Sequence, residues 1–130
     1  MIVDTSAMIA ILLEEPEGHL FDVTILNAAD CRISSATYLE AAMVMLGRRG
    51  PEGMRALDML IFRFGIKIIP FTESHAILAK YAFERYGKGR HPAKLNFGDC
   101  MAYALAKETG EELLFKGTDF GLTDVAVAPY

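Results

Sequence analysis

Short apolar runs alternate with longer stretches of helical periodicity along the chain. The first run stops at Asp4, and the next stretch keeps the spacing of a buried helix face. The predicted strands are residues 1–3, 31–33, 66–69 and 113–115, with 125–127 as a fifth strand at the edge. Because these strands are short and lack polar alternation, they predict a parallel sheet covered by helices on both faces.

Six helices are predicted between and after these strands. Glycines and prolines end several of them, and residues 87–92 are a loop for the same reason. The predicted helices are 7–13, 17–29, 38–48, 51–64, 73–86 and 96–109. With no internal repeat or linker in view, residues 1–130 are expected to form a single domain of the α/β class, with a three-layer α/β/α arrangement and four or five parallel strands.

The composition fits a domain that needs no covalent staples. Hydrophobic residues make up 52% of the 130, and the only cysteines, Cys31 and Cys100, lack the C-x-x-C spacing of zinc or redox sites. A reducing cytoplasm is therefore the expected compartment. The apolar run at 7–13 is too short to span a bilayer, so no membrane association is expected.

Charge is unevenly distributed. The formal net charge of −4 argues against a protein that simply coats nucleic acid, and the first basic residue is Arg32. One later segment has the opposite character, because four basic residues follow one another there without an intervening acid. They are Arg85, Lys88, Arg90 and Lys94.

Four acids are predicted to meet at one edge of the sheet. Asp4 and Asp119 follow predicted strands, Glu40 lies early in the helix after the second strand, and Asp99 opens a helix that must run back from that edge. Four neighbouring carboxylates remain ionised at neutral pH only if a cation offsets their repulsion. Hard oxygen ligands select Mg²⁺ or Mn²⁺, which hold phosphate oxygens and activate water.

Each acid also has a purely structural interpretation. Asp4 is placed to cap a helix, and Asp119 to sit in a turn. Thr37 with Glu40, and Asn96 with Asp99, have the spacing of capping boxes. Four acids on one rim are a less probable coincidence than any one of them, so the metal site is the favoured hypothesis.

Several segments resemble the PIN domain and, more narrowly, the VapC toxins. They are VDTSA at 3–7, SA at 35–36 ahead of Glu40, NFGDCMAYALA at 96–106 and LFKGTDF at 114–120. The resemblance runs from end to end, and the block at 96–106 is more specific than the amino-terminal motif. It implies a PIN-like fold and a metal-dependent endoribonuclease that hydrolyses RNA phosphodiester bonds with a carboxylate-held Mg²⁺ or Mn²⁺ and an activated water.

The same resemblance implies the toxin of a type II toxin–antitoxin pair, usually a homodimer, held inactive by a cognate VapB-like antitoxin. Asp4 and Asp99 match the metal-holding acids best, and Glu40 and Asp119 match the other two of the usual quartet. Ser6 matches a hydroxyl that supports the first acid or a metal-bound water. Thr118 stands where many relatives have a further acid. This departure bears on how completely a second metal ion could be held.

The basic residues at 85–94 have two interpretations under this hypothesis. They either guide RNA phosphates towards the acidic rim or contact acids of the antitoxin. Met43, Met45, Met54 and Met59 fit the core or a helical groove better than a cofactor site, and part of such a groove could receive an apolar antitoxin segment. The histidines show no pairing with acids and are not expected to be catalytic.

Other functional classes fit less well or remain open. A receiver domain requires an Asp at the end of a central strand, where residues 66–70 have none, and a haloacid-dehalogenase-like phosphatase requires Asp-x-Asp where Asp4 is followed by Thr5 and Ser6. The sequence does not separate an active toxin from a catalytically silent interaction protein with the same acids, or from a stand-alone nuclease without an antitoxin.

Overall fold

The structure, a computed structural model, describes residues 1–130. Four strands and five α-helices follow one another as β1 (Ile2–Val3), α1 (Thr5–Leu12), α2 (Gly18–Asn27), β2 (Arg32–Ser34), α3 (Ser35–Phe64), β3 (Lys67–Ile69), α4 (Glu73–Tyr86), α5 (Phe97–Thr109) and β4 (Leu113–Leu114). A single 3₁₀ turn, Phe120–Leu122, comes after β4. No helix combines the length and the apolar character needed to cross a membrane.

The strands form one parallel sheet in the order β3-β2-β1-β4. This confirms the predicted parallel sheet with at least four strands. The predicted fifth strand at 125–127 is wrong as a strand, because Val127 makes only a single bridge, to Leu113. The neighbouring β4 has two residues and offers too short an edge for more pairing.

Helices cover both faces of the sheet, which gives the predicted three layers. Ile2 and Leu113 point into a core shared with α4 and α5, whereas Val3 and Leu114 point into the opposite core, with α1, α2 and α3. This alternation follows from the two-residue period of a strand, and all four side chains are fully buried. Strands β1 and β4 are apolar throughout because both of their faces are covered.

The topology changes direction at β1. The chain passes from β1 to β2 and β3 on one side, and it then returns through α4 and α5 to place β4 on the other side of β1. In open parallel sheets, ligands bind at such a switch point, beyond the carboxyl ends of the strands. Asp4 directly follows β1 at this position.

The long helix α3 is bent near its middle. The predicted break at Gly50 is confirmed, since Arg49 and Gly50 have non-helical dihedral angles between two helical stretches. The predicted start at residue 38 is wrong by three residues. Helix α3 already begins at Ser35, because the Ser34 hydroxyl accepts a hydrogen bond from the Ala36 N–H at 3.2 Å and caps it.

Replacement of two glycines of α3 by alanine is expected to change stability in opposite directions. Gly50 has φ +63° and ψ −158°, a conformation that only glycine adopts easily, so Gly50→Ala should lower the free energy of unfolding by about 1–3 kcal/mol. Gly47 is helical, and a methyl group there would contact nothing, so Gly47→Ala should raise it by about 0.5–1 kcal/mol. Urea denaturation of the two variants measures both values, and a shift in the same direction for both would refute this account of the bend.

Candidate metal and nuclease site

Asp4 is almost completely buried at the switch point. Its side chain is 3% exposed, and its Oδ2 accepts hydrogen bonds from the Ser6 N–H at 2.9 Å and the Ser6 hydroxyl at 2.6 Å. The predicted capping of α1 by Asp4 is thus present. The Ser6 hydroxyl in turn accepts a hydrogen bond from the Lys116 N–H at 2.9 Å, which ties Asp4 to the segment after β4.

Asp99 enters the same region from the amino end of α5. Asn96 and Asp99 form the predicted capping box: the Asp99 N–H donates to Asn96 Oδ1 at 2.9 Å, and the Asn96 N–H donates to Asp99 Oδ2 at 2.7 Å. The structural and functional interpretations of Asp99 are therefore compatible. One carboxylate oxygen caps the helix, and Oδ1 accepts no hydrogen bond from the protein.

Glu40 is held by a residue of another element. Its Oε2 accepts a hydrogen bond from the Thr5 hydroxyl at 2.6 Å, and the same hydroxyl lies 3.5 Å from the Thr37 carbonyl oxygen. The capping box proposed for Thr37 and Glu40 is wrong, because Ser34 is the cap of α3 and Glu40 lies beyond the first turn. Helix capping does not account for Glu40, whose carboxylate instead extends to the residue that follows Asp4.

The electrostatics of these acids reflect burial and mutual repulsion. Burial raises the pKa of Asp4, against the opposing effect of the hydrogen bonds from Ser6, and the charge of Glu40 raises it further. Burial also raises the pKa of Asp99 to about 7; the hydrogen bond from Asn96 opposes this, and the charges of Asp4, Asp119 and Glu40 add to it. The carboxylates are therefore close enough to disfavour one another's ionisation.

The acids open into a polar cavity of about 330 Å³. One of its lining residues is a cation: Lys116 Nζ lies 2.6 Å from Glu15 Oε2 and 3.3 Å from Glu17 Oε2. The residues that line the cavity are Asp4, Thr5, Ser6, Ile9, Glu15, Glu40, Val44, Asn96, Asp99 and Lys116. The site thus combines carboxylates and hydroxyls with a single amine.

Asp119 and Thr118 occupy a more peripheral position. Both are exposed, neither lines the cavity, and Asp119 precedes the 3₁₀ turn without a side-chain hydrogen bond to its backbone. Asp119 still lies close enough to Asp99 to raise the pKa of that residue. Of the predicted quartet, three acids line the cavity and the fourth acts on it from the edge.

The donors suit a hard divalent cation. Asp4, Glu40 and Asp99 each use one carboxylate oxygen in a hydrogen bond within the protein, and the other oxygen accepts none. No group of three or more His, Cys, Asp or Glu side chains lies close enough together to hold a metal ion jointly. Mg²⁺ and Mn²⁺ do not require one, because Mg²⁺ in particular is usually bound by one or two carboxylates and keeps several waters. An oxygen-rich cavity with one buried and two partly buried acids that repel one another fits such an ion.

The basic residues at 85–94 divide into two groups. Arg85 lies over the Tyr86 ring and 3.9 Å from Asp124, whereas Lys88, Arg90 and Lys94 are exposed and form no ion pair within 4.0 Å. The loop that carries these three residues leads directly into Asn96 and α5.

Sequence reasoning missed the roles of three residues that build the cavity. Thr5 positions Glu40, and Glu15 holds the side chain of Lys116. Thr5 lay within a motif that was recognised, and the neighbouring Asp4 was the available signal. Glu15 and Lys116 are 101 positions apart, so only the fold brings them together.

Comparison with known proteins identifies the protein family of the chain. The chain matches the PIN domain over residues 1–126, and it belongs to the PIN domain family. The fold class predicted from the sequence is confirmed.

The relatives define the family more narrowly. The chain is 46% identical over 126 residues to a ribonuclease VapC of Mycolicibacterium smegmatis, covering 97% of this chain and 98% of that protein. It is 48% identical over 126 residues to ribonuclease VapC28 of Mycobacterium tuberculosis, covering 96% of this chain and 95% of that protein. The resemblance to VapC proteins drawn from the motifs is therefore confirmed.

Solved structures agree on the fold. Mycobacterium tuberculosis VapC20, described as a toxin that cleaves the sarcin–ricin loop, superposes with a TM-score of 0.80 at 14% identity, covering 98% of this chain and 97% of that chain. A toxin–antitoxin complex from Klebsiella pneumoniae superposes with a TM-score of 0.72 at 22% identity, covering 99% of this chain and 97% of that chain. At these identities the likeness concerns the fold alone.

Proposed function

We propose that this protein is an endoribonuclease of the VapC type, a single PIN domain over residues 1–130, which hydrolyses RNA phosphodiester bonds with the aid of Mg²⁺ or Mn²⁺. The observation that carries the proposal is the cavity at the switch point, where Asp4, Glu40 and Asp99 each keep one carboxylate oxygen free of hydrogen bonds from the protein. The ribonuclease relatives at 46% and 48% identity support the choice of RNA as substrate.

In the proposed mechanism, Asp4 and Asp99 would hold the metal ion directly, and Glu40 would add negative charge beside them. A bound Mg²⁺ or Mn²⁺ would lower the pKa of a coordinated water and hold an oxygen of the scissile phosphate. Ser6 keeps Asp4 in place, and Asn96 does the same for Asp99. Asp119 is assigned to the orientation of water at the edge of the cavity.

Metal removal tests the proposal. The purified protein, incubated with single-stranded and structured RNA, is expected to cleave it with Mg²⁺ or Mn²⁺ present, to lose cleavage in excess chelator and to regain it when metal is restored. Gel analysis of the RNA measures all three states. Cleavage that continues undiminished in chelator would contradict a metal-dependent mechanism.

We also propose that a VapB-like antitoxin holds the enzyme inactive in the cytoplasm. A toxin–antitoxin complex from Klebsiella pneumoniae shares this fold, and the chain offers an apolar groove of about 810 Å³ between α1 and the second half of α3. Met59 and Phe62 border it and are 71% and 89% exposed. An amphipathic antitoxin helix would bury this surface.

A homodimer is proposed in addition, as the family likeness implies. Helices α4 and α5 form a second apolar cavity, of about 490 Å³, with Phe71 and Phe83 in its lining. Phe97, at the start of α5, also lines it and is 79% exposed. An aromatic side chain next to an apolar cavity is the arrangement that a two-fold contact between identical copies uses.

A further inference from the structure

Gly98 lies against the carboxylate of Glu40. It is the second residue of α5 and is buried. A methyl group at Gly98 would stand 2.5 Å from both the carboxyl carbon and Oε2 of Glu40, and nearer still to Oε1. Real methyl groups essentially never approach other atoms so closely, so Glu40 occupies its position only because residue 98 has no side chain.

Backbone conformation does not explain the glycine. Gly98 is helical and does not have the positive φ that favours glycine at Gly110, the residue that ends the same helix. In a helix, glycine is less favourable than alanine. The reason for a glycine at this position is therefore the space that it leaves for the Glu40 carboxylate.

The other side of the Glu40 carboxylate is also fixed. The Thr5 hydroxyl donates a hydrogen bond to Oε2 at 2.6 Å, and Thr5 directly follows Asp4. Glu40 is thus confined between a residue of α1 and the first turn of α5. In this position its charge acts on both Asp4 and Asp99.

We propose that Gly98 is a positioning residue for the metal site: by lacking a side chain, it leaves the space in which the Glu40 carboxylate lies beside Asp4 and Asp99. The inference rests on the proposed function and concerns how the chain shapes that site. Gly98 itself contacts neither metal nor RNA.

Gly98→Ala is the direct test. The Glu40 carboxylate is the far end of a flexible side chain, so it should swing away while the backbone of α5 stays in place. Titration of the metal-free protein with Mn²⁺ by calorimetry should show an affinity about 10-fold to 100-fold weaker than in the wild type. RNA cleavage should fall as well, and the thermal midpoint of the metal-free variant should be unchanged or higher.

Gly47→Ala is the matched control. It makes the same substitution in a helix, at a position where the new methyl group has no neighbour within 4 Å. Its Mn²⁺ affinity should equal that of the wild type. An unchanged affinity in Gly98→Ala, or an equal loss in Gly47→Ala, would overturn the assignment.

A second test makes the same substitution in a protein that lacks the Glu40 carboxylate. In Glu40→Ala there is no carboxylate for the new methyl group to displace, so Gly98→Ala should have no further effect on Mn²⁺ affinity there. A loss of the same size in both backgrounds would show that Gly98 acts on the site by another route, and the proposal would fail.

Carboxyl ¹³C resonances separate this proposal from the proposed function. In metal-free protein the Glu40 resonance should shift in Gly98→Ala and stay in place in Gly47→Ala, whether or not the protein binds metal or cleaves RNA. An unmoved Glu40 resonance would overturn the role of Gly98 alone. Absence of Mn²⁺ binding and cleavage in the wild type would overturn the proposed function and leave the resonance test intact.

Discussion

Asp99→Asn is expected to reduce RNA cleavage at least about 100-fold and, at the same time, to stabilise the metal-free protein at neutral pH. The loss of activity follows from the proposed role of Asp99 as a direct metal ligand. The gain in stability follows from its surroundings, because burial and the charges of Asp4, Asp119 and Glu40 raise the pKa of Asp99 to about 7. Asparagine carries no charge and can still accept the hydrogen bond from the Asn96 N–H.

The pH window follows from the direction of the pKa shift. The ordinary pKa of an aspartate is 3.8, and the folded protein holds the proton of Asp99 up to about pH 7. The stability contributed by protonated Asp99 is therefore complete below about pH 4, falls progressively as the pH rises from there, and is lost once the pH has passed about 7. With allowance for the exposed part of the carboxyl, the loss by pH 8 is on the order of 2 kcal/mol, and Asp99→Asn should lack it.

Urea unfolding in excess chelator at pH 4 and pH 8 measures this effect. Wild type and Asp99→Asn should differ little at pH 4, and the variant should be the more stable at pH 8. A variant that keeps full cleavage activity would contradict the proposed ligand role. A variant that is less stable than the wild type at pH 8 would contradict the electrostatic argument.

Asp124→Asn is a control variant whose stability at pH 8 should change in the opposite direction. Burial works against ionisation of Asp124, but hydrogen bonds from Tyr103 and Lys107 outweigh it and lower the pKa of this residue. A carboxylate with a lowered pKa stabilises the fold above its ordinary pKa and loses that contribution in acid. Asp124→Asn should therefore destabilise the protein at pH 8, with Mn²⁺ affinity and cleavage retained.

The sequence predicted the location of the acids because two local rules sufficed. Strand ends could be read from the apolar runs, and parallel pairing brings those ends to one edge, where Asp4 and Glu40 line the same cavity in the structure. The capping spacing of Asn96 and Asp99 was equally local, and the structure contains that capping box. Short-range sequence patterns therefore determine most of the strand ends and helix starts that carry the acids of the site.

Contacts between distant elements were not predictable in this way. The partner of Glu40 was assigned to Thr37, three residues away, whereas the structure pairs Glu40 with Thr5, 35 residues away. The role proposed for Gly98 depends on the packing distance between α5 and α3, for which a single sequence carries no signal. Periodicity specifies which face of a helix is buried, but it does not specify which side chains meet there.

The prediction of an edge strand at 125–127 was wrong for a related reason. Its apolar residues fit a strand, but a strand requires a neighbour of sufficient length, and β4 offers only Leu113 and Leu114. Propensity describes the segment itself, and pairing depends on its partner.

The loop before α5 carries a prediction of large effect: neutralising Lys88, Arg90 and Lys94 together with glutamine is expected to weaken RNA binding on the order of tenfold or more at low salt. The loop is well placed to present these cations. Buried Ala93 and Leu95 anchor it, and the Lys88 N–H donates to the Leu95 carbonyl oxygen at 2.9 Å. The three exposed cations form no ion pair with the protein, so phosphates need not displace one.

Salt dependence distinguishes phosphate contacts from a general effect of net charge. Each phosphate contact on a single strand contributes about 0.7 to the slope of log affinity against log salt concentration, so loss of three contacts should reduce the slope by about 2. RNA binding is best measured in chelator, where cleavage is not expected, and Mn²⁺ affinity of the triple variant should match that of the wild type.

A triple variant of Arg48, Arg49 and Arg55 with glutamine is the control, because it removes the same charge from α3. Its affinity for RNA should fall less and its salt slope should stay near the wild-type value, since long-range attraction alone is screened within about 10 Å at 0.1 M salt. Equal slopes in the two triple variants would remove the case for RNA at this loop. An unchanged slope in the Lys88, Arg90 and Lys94 variant, together with weaker binding of the antitoxin, would assign the loop to the protein partner instead.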